Sequence, residues 1–454
     1  MAKTGSDPLK RSLALLMAAL VFLCAAACAS AETLQECHRV TLEYTDTKHD
    51  NKSVVRLWHA DTAHPAVTEE INGIAEAWAA DLGSDLPDAV NTGNKNSRLD
   101  VEIRYSRTGL TWMSFMVQAR RTFHQKLTGQ DFTTRTYDMT TAERVMLTDI
   151  FDDTDELWNM LASRVRSTLE GYFPDQEPNP GVIDFVCSRP QLEKADFTLH
   201  GMSLVLHYPA EMLYEGQHTI MDVTFMYPEI RPYMTERAYT ETNNLAYYKT
   251  CARTFDDGPA RKNTPKVLDA LLKTGSRATF FILGNRIDEN ADMFQREHDE
   301  GHAQGSHNWH HGNVTKSSPS ALRQMPDKCD AKFNKYIGIP TRYDRVPLGL
   351  YPNMISAKAG WPYIQWSLDT YDWRGLSVSS IVSAVKKQIS DGDIILCHDI
   401  KDSTPEAARQ ICEYLAEKGY ILLTIDELFA KDGVELEPNK VYFRCADGDT
   451  SIKQ

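Results

Sequence analysis

Two adjacent carboxylates, Asp256 and Asp257, stand between an apolar lead-in and a Gly-Pro turn in Thr254-Phe255-Asp256-Asp257-Gly258-Pro259. Side chains alternate along an extended strand, but a turn beginning at Asp257 would aim both carboxylates into one cavity. Held close, they repel unless a cation relieves them. A metal ion would let one carboxylate ligate while the other stays ionised as a base. An isolated Asp-Asp-Gly-Pro would support a blander reading, an acidic loop capping a helix that starts near Asn263. A second cluster, His307-Asn308-Trp309-His310-His311, changes the balance. Histidines four apart lie on one face of a helical turn and can bind one metal. His307 with His310 is the competing pair, and His302 is nearby. Together with Asp257, His307 and His311 supply two nitrogens and one oxygen, which leaves a coordination position open for water, as in catalytic zinc sites.

The elements that must carry these groups follow from the rhythm of the second half. From about Ala246, short apolar strands (Cys251–Phe255, Ala278–Gly284, Ala303–His307, Tyr363–Asp369, Asp393–His398, Tyr420–Ile425) alternate with amphipathic helices near Pro265–Leu272, Ala291–Glu300, Ser320–Asn334, Ser379–Ile389 and Thr404–Lys418. Such alternation predicts a parallel sheet with right-handed crossovers, open or closed into a barrel. Four polar clusters fall at strand ends: Asp256-Asp257, His307 to His311, Asp369 to Asp372, and His398-Asp399. Active sites of α/β barrels gather on that edge.

The first half, after residue 36, reads as an α+β unit. Pro65–Leu82 and Asp155–Leu169 carry helical apolar spacing, Leu99–Tyr105 alternates like a half-buried strand, and Phe197–Leu199 with Leu204–Leu206 reads as a hairpin. His218–Tyr227 is a further strand. Its histidines form no ligand cluster. Acidic balance, 49 Lys plus Arg against 63 Asp plus Glu for a net charge of −14, argues against nucleic-acid binding through a basic surface. At the N-terminus, Lys10 and Arg11 precede an apolar run from Leu13 to Ala27 and small residues through Ala31, the order of a secretory signal. An uncleaved anchor or a lipidated Cys28 are the alternatives. Export makes disulfides possible among the seven later cysteines, and Cys397 reads as a buried thiol. The location expected is extracytoplasmic, and the domains expected are a signal over 1–30, an α+β accessory domain over 31–240 and a catalytic domain over 241–454.

Five segments in order give residues 246–430 a resemblance to the polysaccharide deacetylase family (the NodB-homology domain, carbohydrate esterase family 4). They are Thr254–Pro259, His307–His311, Arg345-Val346-Pro347-Leu348-Gly349, Asp369-Thr370-Tyr371-Asp372-Trp373, and Ile395–His398. The resemblance implies a distorted (β/α) barrel. It also implies a divalent metal, Zn²⁺ by preference, held by Asp257, His307 and His311, with Asp256 as general base oriented by Arg345. His398 would be the general acid, positioned by Asp369, while Leu348, Trp373 and Leu396 would wall the acetyl pocket. The sequence departs from the family pattern at Val346 and Leu348, at Asn308 and Gly312, and at Asp344, a possible competitor for Arg345. In the first half, Leu147–Phe151, the helix after it and the Phe197–Tyr227 region resemble a domain of bacterial cell-wall deacetylases and lysozyme-sensing anti-sigma proteins. Together these imply removal of N-acetyl groups from a glycan, peptidoglycan first. An O-acetyl glycan esterase and a non-catalytic wall or lysozyme sensor are the alternatives.

Overall fold

The computed structural model describes residues 37–50, 53–84, 86, 97–243 and 248–451. The expected signal segment lies outside them. No helix among the described residues is long and apolar enough to cross a membrane.

The first half opens with a six-stranded sheet in sequence order: β1 (Val40–Lys48), β2 (Val54–Thr62), β3 (Ser97–Arg107), β4 (Trp112–Phe123), β5 (Lys126–Asp138) and β6 (Glu143–Arg144). Only β2 and β3 run parallel. They are joined across α1 (Pro65–Ser84), which buries Val67, Ile71 and Ala75. The long hairpin β4–β5 was not apparent from the sequence. Nine consecutive residues of β4, Trp112–Arg120, are buried, because the sheet is covered on both faces, and a strand covered on both faces shows no two-residue alternation. Next come α2 (Asp155–Gly171), capped by Thr154, and the antiparallel sheet β7 (Phe197–Leu199), β8 (Ser203–Pro209) and β9 (Ile220–Met226).

The second half alternates as expected. Its elements are β10 (Lys249–Asp256), α3 (Thr264–Lys273), β11 (Thr279–Ile282), α4 (Ala291–Asp299), β12 (Ala303–Ser306), α5 (Pro319–Ile337), β13 (Tyr363–Ile364), β14 (Leu368–Asp369), α6 (Val378–Gln388), β15 (Asp393–His398), α7 (Thr404–Glu417), β16 (Tyr420–Leu423) and β17 (Val441–Tyr442). Among the described residues its strand ladders are all parallel, in the order β12-β11-β10-β15-β14, with β16 beside the start of β10. Single-residue bridges carry the ring onward from Ser306 to Asp344 and from Asp344 to Tyr363. The segment read as one strand, Tyr363–Asp369, breaks into β13 and β14 because it changes partners. Tyr363 and Gln365 donate to carbonyls of Lys440 and Tyr442, whereas Ser367 and Thr370 donate to those of Ile394 and Leu396. The result is a distorted barrel whose ladders do not close.

Packing ties the halves together. One apolar cluster contains Leu161, Phe197 and Leu204 from the first half and Ile364, Ile394, Leu423 and Phe429 from the second. Beside it the β1–β6 sheet rests on α3 and α4, where Arg296 bonds to Glu102 (3.1 Å), Asp269 (2.8 Å) and Glu300.

Candidate active site

Three of the four polar clusters, and the Arg345–Gly349 segment beyond the Asp344 bridge, turn on a left-handed residue other than glycine as they leave the barrel; the His398-Asp399 cluster does not. The φ values are 77° at Asp257, 61° at Asn308, 61° at Leu348 and 57° at Tyr371. This conformation costs a residue bearing Cβ roughly 1–2 kcal/mol and concentrates at functional sites. At Asp257 it has a direct effect. On a continued strand the two carboxylates would diverge, but here Asp256 Oδ2 and Asp257 Oδ1 lie 3.8 and 3.6 Å from His307 Nε2.

His311 Nε2 approaches Asp257 Oδ1 from the other side, at 3.7 Å. Ligand atoms of Asp257, His307 and His311 all lie within 4.8 Å of one another. The two histidines do not share a helical turn, as their spacing suggested. Residues 307–311 are irregular, and the left-handed Asn308 brings the rings to 5.5 Å. His310 packs toward Gly312, and His302 sits at the opposite end of β12 beside Glu300. Two features fit the trio to a cation. Asp257 Oδ1 is buried and accepts no hydrogen bond, an exception that requires an explanation in a folded protein. His307 Nδ1 donates to the Arg345 carbonyl at 2.5 Å, which fixes the tautomer and leaves the Nε2 lone pair facing Asp257. Burial pushes the pKa of His307 down against the pull of Asp256 and Asp257, so the ring is held neutral, the form that ligates.

Asp256 is held from behind. Arg345, fully buried, donates through Nη1 to Asp256 Oδ1 (2.8 Å) and Thr254 Oγ1 (2.6 Å). Its remaining donors reach the carbonyls of Ile364 and Gln365 at 3.0 Å each, and its guanidinium lies over Phe281. Competition from Asp344 is not seen: that carboxylate accepts from the Asn308 N–H, and burial raises its pKa to about 7.

For His398 the structure corrects the sequence reading. Its Nδ1 bonds to Asp372, not Asp369, at 2.7 Å, and its backbone N–H donates to the other oxygen of Asp372 at 2.7 Å. Thr404 adds a third bond to Asp372 at 2.6 Å. Burial opposes the charged imidazolium, but the Asp372 bond and charge, joined by Asp256 and Asp257, outweigh it and raise the His398 pKa. Asp369 is engaged locally, accepting from Tyr371 N–H (2.7 Å) and Trp373 Nε1 (3.3 Å). The left-handed Tyr371 folds the chain back so that the second aspartate of the segment, not the first, reaches the imidazole. Of the expected wall residues, Leu396 is buried, whereas Leu348 (62%) and Trp373 (46%) are strongly exposed on the rim.

Sequence reasoning gave no role to Thr254, which ties Arg345 to the Ile395 carbonyl, or to Asp399, buried behind Gly258 with its pKa raised by burial to about 7. Cys397 is buried as expected, and six of the seven later cysteines are buried free thiols.

Comparison with known proteins supplies a family. The profile described as Polysaccharide deacetylase matches residues 246–363. Peptidoglycan-N-acetylglucosamine deacetylase PgdA of Listeria monocytogenes is 38% identical over 200 residues, covering 44% of this chain and 42% of that protein. Peptidoglycan-N-acetylmuramic acid deacetylase PdaC of Bacillus subtilis is 35% identical over 181 residues, 40% of this chain and 38% of its own. The chain thus spans about two fifths of the length of these curated relatives. A peptidoglycan-N-acetylglucosamine deacetylase of Bacillus cereus is 35% identical over 190 residues and is covered over 88% of its length. With that near-complete match, the chain belongs to the polysaccharide deacetylase family.

Proposed function

We propose that the chain is an exported, metal-dependent deacetylase that hydrolyses N-acetyl groups on the amino sugars of peptidoglycan. In this reading, residues 1–30 direct export or anchoring, residues 31–240 place the enzyme at the wall, and residues 241–454 carry the chemistry. The observation that bears most weight is the unpartnered Asp257 oxygen facing two imidazole nitrogens, with Asp256 and His398 each fixed by a buried partner. Zn²⁺ suits two nitrogens and one carboxylate; a divalent ion bound there supplies Lewis-acid chemistry and brings the pKa of water to about 7.

The chain's own groups divide the remaining work. Arg345 holds and aims Asp256 through the bond to Oδ1, so that Asp256 accepts the proton of the attacking water. The Leu348 N–H donates to the oxyanion as the acyl carbon becomes tetrahedral. His398, protonated because Asp372 raises its pKa, gives its proton to the departing amine, and acetate and the free amine result. Asp372 is the positioning residue for His398, while Asp369 braces the Trp373 indole at the mouth.

Acetate release from peptidoglycan and from N-acetylglucosamine oligomers tests this reading, using the full chain with and without chelator and Zn²⁺. Asp256→Asn is expected to lower kcat by about 10³-fold while circular dichroism stays unchanged, and chelation is expected to abolish release. No release from the metal-loaded chain would sink the N-deacetylase reading. Release from O-acetylated glycans alone would move the assignment to an esterase.

A further inference from the structure

Beyond the acetyl-hydrolysing groups, the rim presents a cation that the reaction itself does not use. Arg374 follows Asp372 by two residues, in a tight turn from Tyr371 to Gly375. Backbone bonds from Arg374 to Tyr371 and from Gly375 to Asp372, both 3.1 Å, close this turn. Asp372 anchors it from below through His398 and Thr404. The guanidinium carbon lies 4.6 Å from the ring centroids of both Tyr371 and Trp373, in the corner the two rings form. All three side chains are exposed. Among the described residues, Arg374 makes no ion pair and its N–H groups make no side-chain hydrogen bond. Arg286, after β11, and Lys401, after β15, also stand on this rim without an ion pair within 4 Å among the described residues.

The physical argument has two parts. Stacking on aromatic rings uses the faces of a guanidinium and leaves its N–H edge free, and that planar edge matches a carboxylate with two parallel bonds. Charge placement points the same way. Asp256 is held by Arg345 and Asp372 by His398, and Asp369, at the mouth, is taken up by the Tyr371 N–H and the Trp373 indole. The rim thus carries cations without an ion pair among the described residues, in a chain whose net charge is −14. A chain this acidic repels anionic ligands at long range, and a fixed cation at the mouth offsets that locally. A neutral glycan would need the aromatic faces but not the unpaired charge between them.

We propose that Arg374 reads a carboxylate carried by the substrate glycan beside the acetylated sugar, so that an anionic amino-sugar strand is preferred over a neutral one. This rests on the deacetylase reading above. The carboxylate has two sources in peptidoglycan chemistry, the lactyl ether of muramic acid and the peptide stem attached to it. Acetate release by the full, metal-loaded chain would be compared on neutral N-acetylglucosamine oligomers, on peptide-free strands with free lactyl carboxylates, on the same strands with those carboxylates amidated, and on peptide-bearing strands. Arg374→Gln is expected to lower kcat/KM on carboxylated strands about tenfold relative to the neutral oligomers, through KM. The preference should weaken at high ionic strength, and Arg374→Lys should keep part of it. Loss on free-lactyl strands names the lactyl group, and loss confined to peptide-bearing strands names the stem; either supports the proposal. An equal loss on all substrates, or none on any, overturns it while wild-type turnover leaves the deacetylase reading standing. A wild-type chain inactive on every substrate would fail that earlier reading instead.

Discussion

The rim of the barrel and the contact between the two halves both bury charge, and they do so in opposite ways. At the contact, Arg296 is shared by Glu102, Asp269 and Glu300, and Arg277 bonds to Glu427, which also accepts from Ser203 at 2.8 Å. There each charge has an opposite partner, although Glu102 keeps Oε2 buried without a hydrogen bond. At the rim, Asp257 turns an unpartnered oxygen toward two imidazoles, and Asp256 and His398 are each gripped on one side only, with the other side facing the cavity. Buried charge alone therefore does not mark a site. What marks it is charge satisfied on the protein side and left open on the other.

The largest effect expected from this contrast falls on the contact. Arg296→Met would leave Glu102 and Glu300 buried without their cation, at roughly 3–5 kcal/mol of stability, measured by urea unfolding. The loss should be greatest near neutral pH. Burial already holds the Glu102 pKa at about 7, and without Arg296 both carboxyls are protonated more readily in the folded state, so stability returns as pH falls toward 5. Turnover per folded molecule should not change. If it fell with stability intact, contact and rim would not be the separate regions described here.

A smaller effect separates the two aspartates of one segment. His398 must be protonated to act as acid, so activity is lost as pH rises through its raised pKa, and the basic limb should lie above the ordinary histidine value of about 6.5. Asp372→Asn removes the charge that raises it. The limb should then move to lower pH, and kcat should fall about 10²-fold. Asp369→Asn should leave the limb in place, since that carboxylate serves Tyr371 and Trp373. A limb that moved with Asp369 and not with Asp372 would restore the sequence reading.

That reversal shows where sequence reasoning ran out. The grouping of Asp256-Asp257, His307 to His311, Asp369 to Asp372 and His398 was legible because strand ends of a parallel sheet face one rim, and the strand and helix rhythm predicted those ends. Partner choice inside a cluster was not legible. It turns on backbone dihedrals at Asn308 and Tyr371, and no residue type announces a left-handed tyrosine. The β4–β5 hairpin escaped for another reason: burial on both faces erased the alternation that signals a strand. The sharing of one apolar cluster by both halves was equally hidden, because it depends on contacts between residues far apart in the chain.

The smallest expected effect has the opposite sign. Asn308 combines a positive φ with a buried, unpartnered amide nitrogen, and Asn308→Gly relieves both. A gain of about 1 kcal/mol is expected, read as a higher thermal midpoint. A midpoint that stayed level or fell would mean that the Asn308 side chain stabilises the rim.

The four left-handed residues also bound the variation the rim can accept, whatever its chemistry. Val, Ile and Thr are poorly suited to positive φ, since branching at Cβ crowds the backbone there. At Leu348, fully 62% exposed and facing incoming ligand, the usable alphabet for reshaping the pocket thus shrinks toward Gly, Asn, Asp and unbranched side chains. A library that randomises this position evenly would spend many of its members on the backbone, and the clones with altered pockets would come from that shorter set.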